Sequence, residues 1–239
     1  EKIMIHKLLS ARLFFLVFVF LSSASIASDF PKNFFINYQA FQLEQDGGLI
    51  NLNYTEKNNL YSIIAKTEFK GILKIFGDRE FISEGIIDIK QFKPYNFEHK
   101  NKLNENKNIH VKFNHDKKKL SVSYKKSTKD YDLGEDYQDL LSFLLQFNFE
   151  EKKDNYKFNV VEGRRLNTYI YKKLKTQPIH YKGFQLNADL FEGNIEGRKN
   201  STHYIWLANS KYRLPIKIKV KTKVGLPVEI KMIDTNLEM

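Results

Sequence analysis

The stretch Ser201–Leu237, STHYIWLANSKYRLPIKIKVKTKVGLPVEIKMIDTNL, has the most regular alternation of apolar and polar residues in this sequence. Successive strand residues point to opposite faces of a sheet. Its central strand has an apolar and a cationic face: Ile216, Ile218 and Val220 against Lys217, Lys219, Lys221 and Lys223. A three-residue turn at 224–226 predicts three cross-strand pairs: Val220 with Ile230, Ile218 with Met232, and Lys221 with Glu229. The stretch therefore predicts three consecutive antiparallel strands with one dry face and one solvated, cationic face.

Similar alternation in the rest of the chain predicts a sheet of about ten strands. The clearest of the earlier strands span 36–40, 50–55, 60–69, 81–89, 109–113, 120–124, 156–160, 164–174 and 184–190. The segment GILKIFG at 71–77 fits either a short strand or a helical turn, and the charged segment 125–132 is typical of a solvated connector. Because no linker is long enough to separate two domains, we expect a single domain over residues 28–239.

One segment has helical rather than strand periodicity. Five of its residues keep the i, i+3, i+4, i+7, i+8 spacing of one helical face: Tyr137, Leu140, Leu141, Leu144 and Leu145. We predict a helix over Asp136–Phe149, with Asp136 as its N-cap and Asp139 in its first turn. A buried strand over 140–147 is the alternative. Phe143 and Phe147 widen the apolar surface, which predicts either core packing against the sheet or a helix that covers an apolar cavity.

The first residues have the pattern of an export signal. Lys2, Lys7 and Arg12 form a basic lead, Leu13–Leu21 is an unbroken apolar run, and Ser22–Ser28 supplies small residues. This order predicts a signal peptide over residues 1–27 that is removed on export. An apolar run of nine residues is too short to cross a bilayer, which needs about 20. We therefore expect a soluble periplasmic protein that does not span the membrane after cleavage.

The amino-acid composition limits the expected cellular location of the protein and the kinds of partner that it would bind. The chain contains no cysteine, so it has no disulfide framework and no cysteine that could carry a lipid anchor. Its formal net charge of +11 would favour anionic partners. The lysines recur throughout the chain and do not form one block, so we interpret most of them as a solvated surface. Export makes nucleic acid an unexpected partner.

No motif of known chemistry is present in the sequence. The chain has no G-x-S-x-G elbow, no phosphate-binding loop, no G-x-G-x-x-G and no H-E-x-x-H. After the signal the histidines are His99, His110, His115, His180 and His203, and we interpret each as a surface residue and not a metal ligand. We therefore predict a protein that is not an enzyme and binds no metal or cofactor. A hydrolase with carboxylates from distant strands is the remaining enzymatic alternative.

Trp206 is the only tryptophan of the chain. It shares a predicted strand face with Tyr204, so one interpretation is an aromatic residue of the core or of a sheet edge. The functional interpretation is a ligand-stacking surface, because Lys217 and Lys219 lie on the neighbouring strand.

Three segments resemble a family of exported proteobacterial proteins catalogued as domain of unknown function 3108. They are DYQDLLSF at 136–143, the turn VEGR at 161–164 with its flanking strands, and YIWL at 204–207 followed by LPI at 214–216. The resemblance implies a periplasmic, β-rich protein of uncharacterised role, and it implies no catalytic residues. This chain departs from the family in its thinner Gly-rich segments and its higher Lys and Asn content. An open, curled sheet with a helix on its concave face also resembles the lipoprotein-carrier architecture, by analogy of fold alone.

These observations predict a mainly β protein whose single antiparallel sheet is strongly curled, like a half-barrel, with one main α-helix packed on its concave face. The leading functional hypothesis is a periplasmic protein of envelope maintenance that holds an apolar or amphipathic, lipid-like ligand between sheet and helix. The candidate ligand-binding residues are Tyr137, Leu141, Leu144, Leu145, Tyr204, Trp206, Ile218, Val220 and Ile230. The alternative is a structural or partner-binding module that uses the cationic strand face or a free sheet edge, with another envelope protein as its partner. An outer-membrane barrel is a third alternative, which would need strands of about ten residues throughout.

Overall fold

The computed structural model describes residues 30–88, 91–221, 225 and 227–239. The predicted signal peptide lies outside these residues. The strands are β1 (Asn33–Gln42), β2 (Gln45–Lys57), β3 (Leu60–Phe69), β4 (Arg79–Asp88), β5 (Gln91–Asn101), β6 (Ile109–Asn114), β7 (Lys119–Tyr124), β8 (Ser127–Asp132), β9 (Tyr137–Asp139), β10 (Asn155–Glu162), β11 (Arg165–Tyr181), β12 (Phe184–Ile195), β13 (His203–Ala208), β14 (Pro215–Lys221) and β15 (Pro227–Thr235). The described helices are α1 (Ser142–Gln146) and two 3-10 helices, Gly71–Phe76 and Glu105–Lys107. None of these helices has the length and apolarity to cross a bilayer.

All fifteen strands belong to one sheet, in which β1 and β15 pair at the centre. From this pair, β2 to β8 follow in chain order to one edge, and β14 to β9 follow in reverse chain order to the other edge. Because consecutive strands pair, most connections are hairpins. The alternation of β1 shows why these residues form strands: Ile36, Tyr38 and Ala40 are buried while the residues between them are half-buried.

The sheet curls until its two ends approach each other. The Tyr131 hydroxyl of edge strand β8 donates a hydrogen bond of 3.4 Å to the carbonyl of Arg164, in the turn between β10 and β11. The Arg164 guanidinium lies 4.1 Å from the centre of the Tyr124 ring on β7. Register shifts interrupt five strand pairs, including β4 with β5 and β11 with β12. Such irregularities bend strands and increase their twist, which accounts for the curl. No strand pairing between the two edges closes the sheet in the part of the chain that is described.

Three features of the predicted architecture are wrong in detail. The sheet has fifteen strands and not about ten, partly because the presumed connector 125–132 contains edge strand β8. The sheet is not wholly antiparallel, since β9 pairs with β10 in parallel. The predicted fourteen-residue helix is reduced to α1, because Asp136 has a φ of 60° and Tyr137–Asp139 is extended. The ambiguous segment at 71–77 is mainly a 3-10 helix.

The register of the last hairpin differs from the prediction by two residues. Ile218 pairs with Ile230, Val220 with Val228, and Lys219 with Glu229. A shift of two preserves every face because the side-chain period of a strand is two, so the separation of apolar and cationic faces holds. The last described pair of this hairpin is Lys221 with Pro227. Lys223 and the predicted turn residues Val224 and Leu226 lie outside the described residues.

Candidate functional site

A groove beside Trp206, the predicted stacking residue, is lined by apolar side chains and by two lysines of the last strands. It has a volume of about 420 Å³. Its lining residues are Phe41, Gln177, Pro178, Ile179, His180, Tyr181, Trp206, Ile216, Lys217, Lys231, Met232 and Ile233. We call this surface the Trp206 groove. One wall is the distal part of the long β11–β12 hairpin, and the other is formed by β13, β14, β15 and β1.

The distal part of the β11–β12 hairpin is held against β15. Lys182, in the turn of this hairpin, forms an ion pair with Asp234. The turn is built on Lys182 and Gly183, whose φ angles of 47° and 84° both lie in the left-handed region. Between this turn and the rest of β11, the register shift at Lys173/Lys175 redirects the strand. The sequence therefore builds a separate arm that encloses one side of the groove.

Across the strands of the groove, two lysines and two aromatic rings form a row. Trp206 lies opposite Lys217, and Lys217 lies opposite Lys231. The Lys217 ammonium is 5.0 Å from the centre of the Trp206 ring, and the Lys231 ammonium is 4.8 Å from the centre of the Phe41 ring. Cations at these distances are attracted by the ring face. The prediction that Trp206 and Lys217 lie on neighbouring strands is confirmed. Lys219 lies two residues further along β14, opposite Tyr204.

One carboxylate joins the two ammonium groups of this row. Glu229 accepts from Lys217 at 2.9 Å and from Lys231 at 2.8 Å. Partial burial raises the pKa of Glu229, but the hydrogen bonds from Lys231 and Lys217 outweigh it and hold this pKa below its usual value. Glu229 therefore stays ionised near neutral pH, and the Lys217–Glu229–Lys231 triad carries one net positive charge.

A second groove continues from the first along the outside of β15. It has a volume of about 460 Å³ and shares Phe41 and Lys231 with the Trp206 groove. Its other lining residues are Leu43, Glu44, Lys219, Pro227, Val228 and Glu229. The contact between Lys231 and Phe41 therefore belongs to both grooves.

The space between α1 and the sheet is filled by side chains. Phe143 and Phe147 belong to a cluster that also contains Tyr156, Phe158, Val160, Tyr169, Tyr171, Phe191, Ile205 and Leu207. We call this cluster the aromatic core. On the other side of α1, Leu141 and Leu145 enter the main core at 4% and 1% exposure. Helix α1 is therefore packed on two sides, by the aromatic core and by the main core.

The predicted site residues do not converge on one surface. Trp206 lines the groove, and Tyr204 lies beside it with ring centroids 6.3 Å apart and its hydroxyl donating to Glu192 at 3.2 Å. The remaining seven lie in or against hydrophobic clusters: Tyr137, Leu141, Leu145 and Ile230 at the main core, Leu144 and Ile218 at the aromatic core, and Val220 against Ala40, Leu73 and Val228. A ligand-binding role for these residues stays a prediction.

Sequence reasoning missed the arm residues of the groove. Ile179 and Tyr181 alternate before the Lys182-Gly183 turn, and Phe184 and Leu186 alternate after it. Two alternating runs around a two-residue turn with glycine are a hairpin signal that could have revealed the arm. The position of the arm over β15 depends on the bend in β11, which no local pattern indicates.

A buried polar cluster fixes α1 to β4, and it contains the aspartate that we predicted in the first turn of the helix. Asp139 Oδ1 accepts from the backbone N–H groups of Leu141 and Ser142 at 2.8 and 3.0 Å. The Ser83 hydroxyl donates to Asp139 Oδ2 at 2.5 Å, and the Tyr61 hydroxyl lies 3.2 Å from that of Ser83. Asp139 therefore caps the turn into α1, the role that we predicted for Asp136. Burial raises the pKa of Asp139 to about 6, although these hydrogen bonds act to lower it.

Two glutamine side chains complete the hydrogen bonding of one residue of β5. Gln138 Nε2 donates to the carbonyl of Phe92 at 2.6 Å, and the N–H of Phe92 donates to Gln146 Oε1 at 3.0 Å. Strand β6 pairs with β5 only over residues 96–99. At Phe92, the two glutamine side chains therefore form the hydrogen bonds that a neighbouring strand would otherwise supply. They therefore tie β9 and α1 to β5 across the curl of the sheet.

Replacing one of these glutamines tests this tie. We expect Gln146→Leu to lower the free energy of unfolding by about 2 kcal/mol, because it leaves the buried N–H of Phe92 without an acceptor. Gln185→Leu, at an exposed position of β12, is the matched control and should change the stability by less than about 0.5 kcal/mol. Urea denaturation of both variants gives the comparison. Equal stabilities would show that the tie contributes nothing.

Two of the histidines are not free surface residues as predicted. His203 Nε2 lies 2.7 Å from the Tyr171 hydroxyl, and burial lowers the pKa of His203. His99 stacks on Phe81 with ring centroids 4.6 Å apart. Among the described residues, no three histidine or acidic side chains are close enough to hold a metal ion.

Comparison with known proteins identifies the family. The sequence profile described as "Protein of unknown function (DUF3108)" matches residues 36–232, which is most of the chain. The chain belongs to this family. For this DUF3108 protein, the match begins within β1 and ends within β15, so it contains every strand of the sheet.

Other comparisons add little for this DUF3108 protein. A search of curated proteins finds no match. A crystal structure from Vibrio parahaemolyticus, provisionally described as an outer membrane lipoprotein-sorting protein domain, is similar at 11% identity and a TM-score of 0.28. That match covers 86% of this chain and 87% of the other. A likeness at this level carries nothing about ligand or role.

Proposed function

We propose that this protein is a non-enzymatic binding protein of the cell envelope that holds an amphipathic, lipid-like ligand in the Trp206 groove. The observation that carries the proposal is a groove with aliphatic and aromatic walls that Lys217 and Lys231 also line. Ligand sites are typically recesses of about 300–1,000 Å³, mostly apolar, with a few placed polar groups. The Trp206 groove has this character.

The walls of the groove suit an apolar chain. Ile179, Met232 and Ile233 line it together with the rings of Trp206 and Phe41. Apolar surface gains about 25 cal/mol for each Å² that it removes from water, so an alkyl chain in the groove is stabilised along its length. The polar groups of the same walls include ammonium, indole and phenol groups, which bind acceptor atoms, and this supports binding over catalysis.

The sequence supports a location in the periplasm. The basic lead, the apolar run Leu13–Leu21 and the small residues after it have the order of an export signal. We therefore place the protein in the periplasm as an exported protein without a lipid anchor. Envelope lipids are the amphipathic molecules of that compartment, which makes lipid the expected partner and nucleic acid an unexpected one.

The second hypothesis, a partner-binding module, receives less support from the structure. Edge strand β8 is the free edge that such a module would use, and five of its six residues are exposed. Lys129, Asp130 and Asp132 project from this strand, and charged side chains on an edge are typical of protection against pairing. The free edge therefore does not favour strand addition.

Fluorescence of the single tryptophan can test the proposed groove. Titration with dodecanol should shift the emission of Trp206 in a saturable manner, because an alkyl chain in the groove changes the surroundings of the indole. Ile233→Asp should weaken dodecanol binding about tenfold, since it places a charge in an apolar wall. Ile170→Asp is the control, because Ile170 has the same exposure of 39% and does not line the groove. No saturable shift in the wild-type protein would refute the proposal.

A further inference from the structure

We propose that the Trp206 groove selects amphiphiles with a small anionic headgroup, a carboxylate or a phosphate, and that Lys217 and Lys231 bind this headgroup. The inference rests on the proposed function, because it names the chemistry of the ligand that the groove would hold. It assigns the ammonium groups to the headgroup and the aliphatic walls to the chain.

The first argument is the charge that faces the groove. Lys217 and Lys231 line it, and Glu229 bridges their ammonium groups without itself lining the Trp206 groove. The triad keeps one net positive charge, so a monoanion completes its neutralisation. The side chain of Lys217 is 24% exposed, so its charge is only partly screened by water. An anion at this position gains more than it would at a fully exposed lysine.

The second argument is the geometry of the row. Trp206, Lys217 and Lys231 are directly opposite one another on β13, β14 and β15, where neighbouring strands are about 4.8 Å apart. Each ammonium group has three N–H donors and gives one to Glu229, so an oxyanion in the groove can accept from the remaining donors. The cation–π contacts to Trp206 and Phe41 hold each lysine in place, so little side-chain freedom is lost when an anion binds.

The third argument is an unpaired donor beside the groove. Trp206 lines the groove, and its buried Nε1 has no hydrogen-bond partner among the described residues. An unpaired buried donor costs about 1–3 kcal/mol. An acceptor-rich headgroup that reaches the indole would supply a partner for this donor, whereas a neutral hydrocarbon end would not.

The experiment compares three ligands of equal chain length by calorimetry: dodecanoate, dodecyl phosphate and dodecanol. The wild-type protein should bind the two anions about tenfold or more tightly than dodecanol. A preference between dodecanoate and dodecyl phosphate identifies the headgroup as carboxylate or phosphate. Lys217→Met and Lys231→Met should each remove most of the preference for anions over dodecanol, because methionine keeps an aliphatic side chain and removes the charge.

The matched control is Lys221→Met, which removes the same charge from an exposed position of β14 outside both grooves. It should leave all three affinities unchanged, which separates headgroup recognition from attraction to the net charge of the protein. Equal binding of dodecanol and both anions would overturn this inference and leave the proposed function intact. An equal loss of anion binding in Lys221→Met and Lys217→Met would also overturn it. If none of the three ligands binds, the proposed function itself fails.

Discussion

Phe147→Ala is expected to lower the free energy of unfolding by about 4 kcal/mol, the largest loss that we predict for a single substitution. Phe147 follows α1 directly and has no exposed surface. Its ring contacts Phe143, Tyr156, Phe158, Tyr171 and Phe191 at centroid distances from 4.8 to 6.5 Å. Alanine would leave a cavity among five rings, four of which are fixed by their own strands and cannot collapse into it. Guanidinium denaturation at equilibrium measures the loss.

The control for this prediction is Leu144→Ala on the same helix. Leu144 is only half-buried and packs on the rim of the aromatic core, so we expect a loss of about 1 kcal/mol. The comparison decides whether α1 is a packed element of the core or a movable cover. A loss below about 1.5 kcal/mol in Phe147→Ala would mean that the helix lies over compressible space. In that case the ligand would belong between helix and sheet, as the sequence first suggested, and not in the Trp206 groove.

The sequence predicted the faces of the last strands correctly because alternation is a local property. Ile218 and Val220 share a face, and Lys217 and Lys219 share the other, as their spacing required. It did not predict which residues pair, because a shift of two residues satisfies the same pattern.

The segment after Asp136 shows how tertiary contacts override periodicity. Tyr137, Leu140 and Leu141 fit a helical face, yet Tyr137 lies in a strand that pairs with Asn159 of β10. Gln138 and Asp139 are used for hydrogen bonds to distant backbone and side-chain groups, and these bonds require an extended chain at this point. A polar pair followed by an apolar run fits both a helix start and an extended segment that leads into a helix. What distinguishes the two here is the hydrogen-bond partners of Gln138 and Asp139 on β5 and β4, which are more than 40 residues away in the sequence.

The Trp206 groove, too, could be predicted in part from local sequence and depends in part on contacts between distant residues. Trp206 and Lys217 were expected to be neighbours because their strands were expected to be neighbours, and this is confirmed. Ile179 and Tyr181 come from an arm whose direction depends on the register shift in β11. The lysines that composition alone assigned to a solvated surface therefore include two that line an enclosed groove. The same alternating pattern of lysines is therefore solvated in one part of the sheet and lines a groove in another.

The free energy of unfolding is also expected to fall by about 3 kcal/mol between pH 3 and pH 7 through the titration of Asp139 alone. Burial raises the pKa of this carboxyl group from 3.8 to about 6. Between these values the folded protein holds a proton that the unfolded chain releases, so the folded state loses stability as the pH rises through this window. Each pKa unit corresponds to about 1.4 kcal/mol, which gives the stated magnitude.

Asp139→Asn isolates this effect because it keeps the shape of the cluster and removes the titration. The amide oxygen can still accept from the N–H groups of Leu141 and Ser142, and the amide nitrogen can donate to the Ser83 hydroxyl. The wild-type protein should thus become less stable relative to the variant by about 3 kcal/mol from pH 3 to pH 7. Urea denaturation of both proteins over this range measures the difference, in which other titrating groups cancel. A difference that does not change with pH would mean that water reaches Asp139, and that α1 is not sealed onto β4.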